Sequence, residues 1–364
     1  MNDGTKKTQS VANRRAFMKN SFGAAALGAG VLASGSPLFG QAPSPSTITD
    51  GDAAILRFLA TAELIEADLW KQYAELGGVT NGTPTPYQVA LQQLDGDAGQ
   101  YITSNTLDEA SHAAFLNAYL ISKGREPADL DAFRTLPSSQ AEGALHTGRL
   151  TNLMQLSIDT SWYTRYRSST NPDFGATYPQ ALPQLFAGQF TAIPRTNADF
   201  GPAAHIQAIA NTAAFHFGSI EQGGSSLYPT LAQRVSSVEV LRIVMSIGAD
   251  EVAHFVEWVD FAGNGVQPPV APVTDPITGL TFPNFNATGN PLLQTNLIFP
   301  IPCEFISPNL PRCAVIRPTG PGQIDALGAA NFLMASGLFI GQPPQFSQLL
   351  LDFANEADSA VRGA

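Results

Sequence analysis

Charged side chains are scarce in this chain. Asp, Glu, Lys and Arg together make up 13% of its 364 residues, against 44% for hydrophobic residues. Disordered proteins combine low hydrophobicity with high net charge, so this composition excludes that class and supports a sizeable core. Basic residues are rarer than acidic ones, 19 against 30, so the chain has a net negative charge. This charge argues against binding to nucleic acid or to an anionic membrane surface.

Cysteine is almost absent. Cys303 and Cys313 are the only two, and their spacing in a proline-rich segment fits neither a zinc ribbon nor a redox Cys-x-x-Cys motif. The sequence therefore predicts a loop-closing disulfide in an oxidising compartment, with two free thiols as the alternative. Long hydrophobic runs are also missing after the N-terminal segment, so no stable membrane span is expected once that segment is removed.

The first 42 residues have the pattern of an export signal. Arg14-Arg15-Ala16-Phe17-Met18-Lys19 precedes a Gly/Ala-rich apolar stretch over 22–33, and a small-x-small site follows at Gly40-Gln41-Ala42. The Arg-Arg-x-Phe-x-Lys core resembles the bacterial twin-arginine signal, and an ordinary secretory signal is the alternative. The resemblance implies that the twin-arginine (Tat) export machinery carries the protein, already folded, to the periplasm or the outside.

Apolar residues at helical spacing indicate an all-α fold. The main patterns cover residues 52–76, 105–123, 203–233 and 238–261, within a domain over 43–264. Gly223-Gly224 is expected to interrupt the third pattern. Residues 125–202 are predicted to be an insertion with a helix over 141–166. Residues 265–364 are predicted to be a proline-rich extension that wraps around the helices and ends in short helices near 323–339 and 344–360.

Two Glu-x-x-His tetrapeptides lie inside these helical patterns, Glu109 to His112 and Glu251 to His254. The i, i+3 spacing places a carboxylate and an imidazole on one helix face, and a carboxylate on an apolar face requires a partner or a cation. The other two helices each carry a glutamate on their apolar stripe, Glu63 and Glu221. Two Glu-x-x-His helices and two glutamate helices together form the inward-facing ligand set of a dinuclear site in a four-helix bundle.

These six residues resemble the ligand series of the ferritin-like di-metal carboxylate superfamily, of which bacterioferritin and rubrerythrin are familiar members. The stretch Asp250-Glu251-Val252-Ala253-His254-Phe255-Val256-Glu257-Trp258 is similar to the last helix of bacterioferritin. The stretch Glu63-Leu64-Ile65-Glu66-Ala67 resembles the exported ferritin-like proteins that include the plant desiccation-related proteins. The resemblance covers about 52–124 and 203–263, and it implies a ferritin-like four-helix bundle with an inserted helix-loop segment and a partly helical C-terminal extension.

The resemblance also implies a role for each ligand. The outer ligands would be Glu63 and Glu221, and the ligands that bridge the two ions would be Glu109 and Glu251. His112 and His254 would each bind one ion. Carboxylate oxygens with one imidazole per ion suit two iron or manganese ions, and iron is preferred.

Glu66 competes with Glu63 for the ligand role on the first helix. Glu63 is preferred because Trp70 follows it at the spacing at which Tyr228 follows Glu221. Glu66, Trp70 and Tyr228 are then expected to support the ligands by hydrogen bonding and packing.

The implied function is an exported oxidoreductase of the ferroxidase, peroxidase or oxidase type, whose partners are metal ions and dioxygen or peroxide. The alternative is a non-catalytic envelope stress-protection protein on the same scaffold, with or without metal. The sequence leaves the oligomeric state open, a homodimer included. His216 is predicted to lie off the site face in a capping or surface role, and His146 and His205 are predicted to be structural.

Overall fold

The computed structural model describes residues 48–165, 179–288, 300–301, 307, 309–314 and 325–363. The described residues fall within one compact unit, Thr47–Ala364. The predicted export signal, residues 1–42, lies outside them and stays a prediction.

The described chain is mostly helical. Its α-helices are, in chain order, α1 (Asp50–Gly77), α2 (Pro86–Leu94), α3 (Ala98–Ser122), α4 (Trp162–Arg165), α5 (Pro183–Ala187), α6 (Ala203–Ala232), α7 (Val238–Asn264), α8 (Ala326–Ala335) and α9 (Pro344–Asp358). The strands form two small antiparallel pairs, β1 (Val273–Thr274) with β2 (Thr281–Phe282), and β3 (Pro300–Ile301) with β4 (Cys313–Ala314). None of the described helices is both long and apolar enough to cross a membrane.

Four long helices, α1, α3, α6 and α7, carry the Glu/His residues of interest. Helix α1 packs on α3, and α6 packs on α7. Gly248 of α7 allows close approach to α6, because a Cβ there would lie 2.6 Å from the Cβ of Tyr228. Helix α6 is buried along nearly its whole length. Packing of this kind, more than intrinsic propensity, stabilises a helix in a folded protein.

The predicted interruption of the third helix is wrong. Helix α6 runs without a break through Gly223 and Gly224. Two glycines lower the helix propensity by about 1 kcal/mol each relative to alanine, but the burial of α6 on all sides outweighs this loss.

The segment before the second long helix also differs from expectation. Between the predicted helices over 52–76 and 105–123, a further helix, α2, begins at Pro86, with a capping box in which Thr85 and Gln88 bond each other's backbone N–H groups. Helix α3 begins at Ala98, earlier than the predicted start at residue 105.

The predicted helix over 141–166 is wrong except for its end, which is α4. The backbone of this insertion makes its hydrogen bonds outside a helix. Asp68 of α1 accepts hydrogen bonds from the backbone N atoms of Leu150 and Thr151, each at 3.0 Å, and Leu156 exchanges two backbone hydrogen bonds with Phe190. A buried acceptor on α1 thus holds the insertion extended against the helices.

The C-terminal helices α8 and α9 end close to the predicted residues and pack on each other, and α9 packs on α1. Arg57 of α1 forms an ion pair with Glu356 of α9 at 3.2 Å. Phe346 and Leu350 of α9 join the hydrophobic core that includes the long helices. The described part of the extension therefore shares the core of the long helices and has none of its own.

Candidate metal centre

Four glutamates, one from each long helix, meet in the interior with the two histidines. Glu63, Glu109, Glu221 and Glu251 are all 0% exposed. Two overlapping groups have potential ligand atoms that lie within 4.8 Å of one another, one of Glu63, Glu109, His112 and Glu251, and one of Glu109, Glu221, Glu251 and His254. We call these six residues the Glu/His cluster. The structure brings together all six residues that the sequence singles out as ligands.

Glu109 joins the two halves of the cluster. Its Oε2 lies 3.2 Å from Nδ1 of His112, and its Oε1 lies 3.0 Å from Nδ1 of His254. The other glutamates are nearer to one half: Glu63 Oε2 is 3.4 Å from His112 Nδ1, and Glu221 Oε2 is 3.5 Å from His254 Nδ1. Each histidine therefore directs the same ring nitrogen, Nδ1, toward the carboxylates.

The outer ring nitrogens face two aspartates that the sequence analysis did not single out. His112 Nε2 lies 3.3 Å from Asp250, and His254 Nε2 lies 3.5 Å from Asp108. Each aspartate directly precedes a motif glutamate, so the repeated motif is Asp-Glu-x-x-His, and each aspartate contacts the histidine of the opposite helix. A carboxylate on the outer nitrogen fixes the orientation of an imidazole ligand. The repeated Asp before each Glu was the available signal in the sequence.

Burial changes the proton affinity of the carboxyl groups. Loss of hydration raises the pKa of Glu63 to about 7, against the opposing effect of its hydrogen bond with His112. Loss of hydration, followed by the negative charges of Glu109 and Glu63, raises the pKa of Glu251 well above its ordinary value. A neighbouring cation would oppose both effects and lower these pKa values, because it favours the charged carboxylate.

The histidines respond in the opposite direction. Burial alone would lower the pKa of His112, but its hydrogen bonds to the glutamates, that to Glu109 foremost, raise it well above its ordinary value. His254 behaves in the same way, and the charge of Glu221 is the largest raising cause. Among the described residues, the ion-pair partners that lie within 4.0 Å of the four glutamates are these two histidines. No described Lys or Arg lies within that distance of them.

Several buried oxygen atoms of the cluster make no hydrogen bond of ordinary geometry with the described residues, although a histidine Nδ1 lies 3.4 or 3.5 Å from three of them. They are Glu63 Oε2, Glu221 Oε2 and both carboxylate oxygens of Glu251. Buried polar atoms almost always have a partner, and unpaired ones require an explanation such as an ion. The donor set of carboxylate oxygens and imidazole nitrogens fits a hard or borderline divalent cation. The cluster can hold a metal, and it is compatible with a ferritin-like fold.

Gly224 makes room for Glu251. A Cβ at Gly224 would lie 2.0 Å from Oε2 of Glu251 and 2.9 Å from its Cδ. Gly224 follows Glu221 by one helical turn, so the glycine expected to break α6 clears space for a carboxylate from α7.

The three residues predicted to support the ligands differ in their relation to the cluster. The hydroxyl group of Tyr228 donates a hydrogen bond to Glu63 Oε1. Trp70 is fully buried and stacks on Trp258, with ring centroids 5.1 Å apart. Glu66 belongs to neither ligand group, but loss of hydration and then the nearby charges, that of Glu251 foremost, raise its pKa well above its ordinary value.

Asn105 is a further neighbour that the sequence analysis missed. Its amide nitrogen lies 2.7 Å from Glu109 Oε1 and 3.2 Å from Glu221 Oε1. It precedes Glu109 by four residues, so its position on the same face of α3 was the available signal.

The remaining histidines lie outside the cluster. His216 is buried, against the prediction of a surface or capping role, because α6 has no solvent-exposed side at that level. Its Nδ1 lies 2.7 Å from the Tyr73 hydroxyl, and burial lowers its pKa to about 3. His205 lies between Asp275 and Asp199, at 2.9 and 3.3 Å, and connects the start of α6 to a loop and to a short 3-10 helix. His146 is exposed.

The predicted disulfide stays a prediction. Cys313 is exposed and lies in β4. Cys303 lies outside the described residues.

No protein-family profile, curated protein sequence or solved structure matches this chain. The chemistry of the site therefore rests on its own residues.

Proposed function

We propose that this protein is an exported ferritin-like di-metal carboxylate protein, in which two iron or manganese ions, iron by preference, act on dioxygen or peroxide. The observation that carries the proposal is the Glu/His cluster: four fully buried glutamates from four helices, with one histidine for each half. The N-terminal sequence pattern supports export through the twin-arginine pathway, to the periplasm or the outside.

Charge supports a pair of divalent cations. Four carboxylates carry up to four negative charges, and two divalent cations carry four positive ones. The alternative counter-charges are weaker, because the described residues place no Lys or Arg at the cluster and two protonated histidines offset only half. Burying ions without compensation costs several kcal/mol per ion, so the metal-bound state is the better-balanced one.

The chain's own residues would then have distinct tasks. Glu63 and Glu109 with His112 would hold one ion, and Glu109 and Glu221 with His254 would hold the other, with Glu251 available to both. Asp250 and Asp108 would orient the two imidazoles. When bound, a pair of iron or manganese ions supplies redox chemistry with dioxygen or peroxide, while the buried aromatic residues around the cluster exclude bulk water.

Elemental analysis of the freshly purified, exported protein tests the proposal. We expect about two Fe or Mn per chain, and we expect Glu109→Gln to lose most of this metal while the helical content is unchanged. Glu239→Gln is the matched control, because Glu239 is an exposed carboxylate of α7 that pairs with Lys123. A metal content near zero after anaerobic reconstitution of the parent with Fe²⁺ and with Mn²⁺ would exclude the di-metal function and leave the non-catalytic alternative.

Dioxygen consumption on addition of Fe²⁺ to the metal-free protein, and peroxide removal by the Mn-loaded protein, then distinguish the reaction types. The parent should exceed Glu109→Gln in at least one of these assays. Equal rates for the two proteins would mean that the cluster is not the reactive site.

A further inference from the structure

Two neutral side chains donate hydrogen bonds to glutamates of the cluster. Tyr228 of α6 bonds Glu63 of α1, and Asn105 of α3 bonds both Glu109 and Glu221. Each donor reaches a carboxylate on a different helix, so the Tyr228–Glu63 and Asn105–Glu221 hydrogen bonds each fix the position of one helix relative to another, whereas the Asn105–Glu109 bond lies within α3.

The orientation of the Asn105 amide is determined by Trp258. The indole N–H of Trp258 lies 2.6 Å from Asn105 Oδ1, and an indole N–H is a donor only. The atom that faces it must therefore be the amide oxygen, which leaves the NH₂ group facing the carboxylates. Trp258 is itself held by stacking on Trp70 and by Phe217, with ring centroids 5.1 and 4.6 Å away. Turning the amide over would leave a buried donor unpaired.

The two donors serve different halves of the cluster. Glu221, an Asn105 partner, belongs only to the ligand group that contains His254. Glu63, the Tyr228 partner, belongs only to the ligand group that contains His112. Glu109 is common to both groups, and Asn105 bonds the oxygen of Glu109, Oε1, that lies toward His254.

The internal repeat does not supply a second amide. Asn105 lies four residues before Glu109, and the residue four before Glu251 is Ile247, which is buried and apolar. The side-chain amide is thus a feature of one half of the cluster alone.

We propose that Asn105 is a positioning residue that specifically supports the metal position formed by Glu221 and His254, while Tyr228 supports the position formed by Glu63 and His112. The inference rests on the proposed di-metal function. It gives the two ions separate structural supports, so that each position can be weakened without the other. Hydrogen-bonded neighbours of metal ligands typically change metal affinity by about 10–100-fold when removed.

Anaerobic Mn²⁺ titration of single-position proteins tests this division. His112→Ala leaves one intact position, that of Glu221 and His254, and His254→Ala leaves the other. In the His112→Ala protein, Asn105→Leu should weaken the remaining ion about 10–100-fold, and Tyr228→Phe should leave it nearly unchanged. In the His254→Ala protein, the two effects should be reversed.

The crossed pattern separates positioning from general damage to the fold, because a destabilised protein would lose affinity in both backgrounds. Asn117→Leu is the matched control: Asn117 is also on α3, but it bonds the backbone of Ala128 instead of the cluster. Trp258→Phe is a second variant for the case that Asn105→Leu does not fold. It retains Asn105 but removes the N–H that orients the amide, so it should weaken the same position.

Electron paramagnetic resonance gives an independent readout. With two equivalents of Mn²⁺, the parent should give the broad spectrum of a coupled pair, and Asn105→Leu should give mainly the six-line spectrum of isolated Mn²⁺. If the parent binds two ions but Asn105→Leu and Tyr228→Phe affect both positions equally, or neither, the inference is wrong and the di-metal function stands. If the parent binds no metal, both this inference and the proposed di-metal function are wrong.

Discussion

The replacement of Gly224 by alanine is the most direct test of how the cluster is built. This change adds one methyl group to α6, at a point where the Cβ would lie 2.0 Å from Oε2 and 2.9 Å from Cδ of Glu251. Non-bonded heavy atoms are normally about 3.5–4.0 Å apart. The carboxylate of Glu251 must therefore move by more than about 1 Å.

The energetic effect has two opposing parts. Glu251 is fully buried, so its carboxylate can move only into packed interior, and overpacking of this kind costs about 1–3 kcal/mol. Alanine also has a higher helix propensity than glycine, by about 1 kcal/mol. We expect the free energy of unfolding of the metal-free protein to fall by about 0–2 kcal/mol. Metal affinity should fall far more, because ligands must be held within about 0.5 Å of their binding geometry.

Calorimetric titration with Fe²⁺ or Mn²⁺ under anaerobic conditions, alongside urea unfolding of the metal-free protein, measures the two effects separately. Gly223→Ala is the control, since it makes the same change in helix propensity about 100° away around the helix. The reasoning is refuted if Gly224→Ala binds two ions as tightly as the parent, or if Gly223→Ala loses metal equally.

The remaining predictions concern one substitution, one pH dependence and one covalent bond. Glu251→Gln removes a buried carboxyl group whose pKa is raised by burial and by the charge of Glu109. The free energy of unfolding of the metal-free protein should therefore rise by about 1 kcal/mol, which raises Tm by about 1–2 °C, while metal affinity is lost. A lower Tm by calorimetry would contradict this. Burial lowers the pKa of His216 to about 3. Between pH 6.5 and 3, the unfolded chain therefore binds a proton that the folded chain does not bind. The free energy of unfolding should fall by up to about 1.4 kcal/mol per pH unit as the pH drops toward 3. His216→Gln should lack this contribution in urea unfolding at pH 7, 6 and 5, and identical slopes would contradict the assignment. Cys303 and Cys313 of the exported protein should resist alkylation before reduction, whereas two alkylated thiols by mass spectrometry would show that no disulfide forms.

The burial of the four cluster glutamates was predictable because helical periodicity is a local property of the sequence. Glu63, Glu109, Glu221 and Glu251 each lie on the apolar stripe of a long pattern, and a stripe of that type faces the core. Two of the four were also marked by a histidine three residues later. The sequence therefore predicted both which carboxylates would be buried and that they would meet.

The errors share one physical cause, which is that each depended on contacts from distant parts of the chain. The segment over 141–166 was predicted to be a helix, but the backbone N–H groups of Leu150 and Thr151 donate instead to Asp68 of α1. His216 does lie off the helix face that carries Glu221. It is nevertheless buried, because α6 is buried on every side at that level. For Gly224, the sequence shows low helix propensity but not the carboxylate of Glu251, which arrives from another helix.

Helix α6 bears most directly on whether the cluster is functional. Glu221 is the one Asp, Glu, Lys or Arg residue among its 30 residues, and it is fully buried. Without metal, the ion-pair partner of Glu221 among the described residues is His254, whose Nδ1 lies 3.5 Å from Glu221 Oε2, and no Lys or Arg lies there. A glutamine at Glu221 could make the same hydrogen bond to Asn105 without burying a charge, so packing and hydrogen bonding alone do not explain the carboxylate. A bound cation would explain it, because it would turn the charge of Glu221 from a cost to folding into a gain in binding.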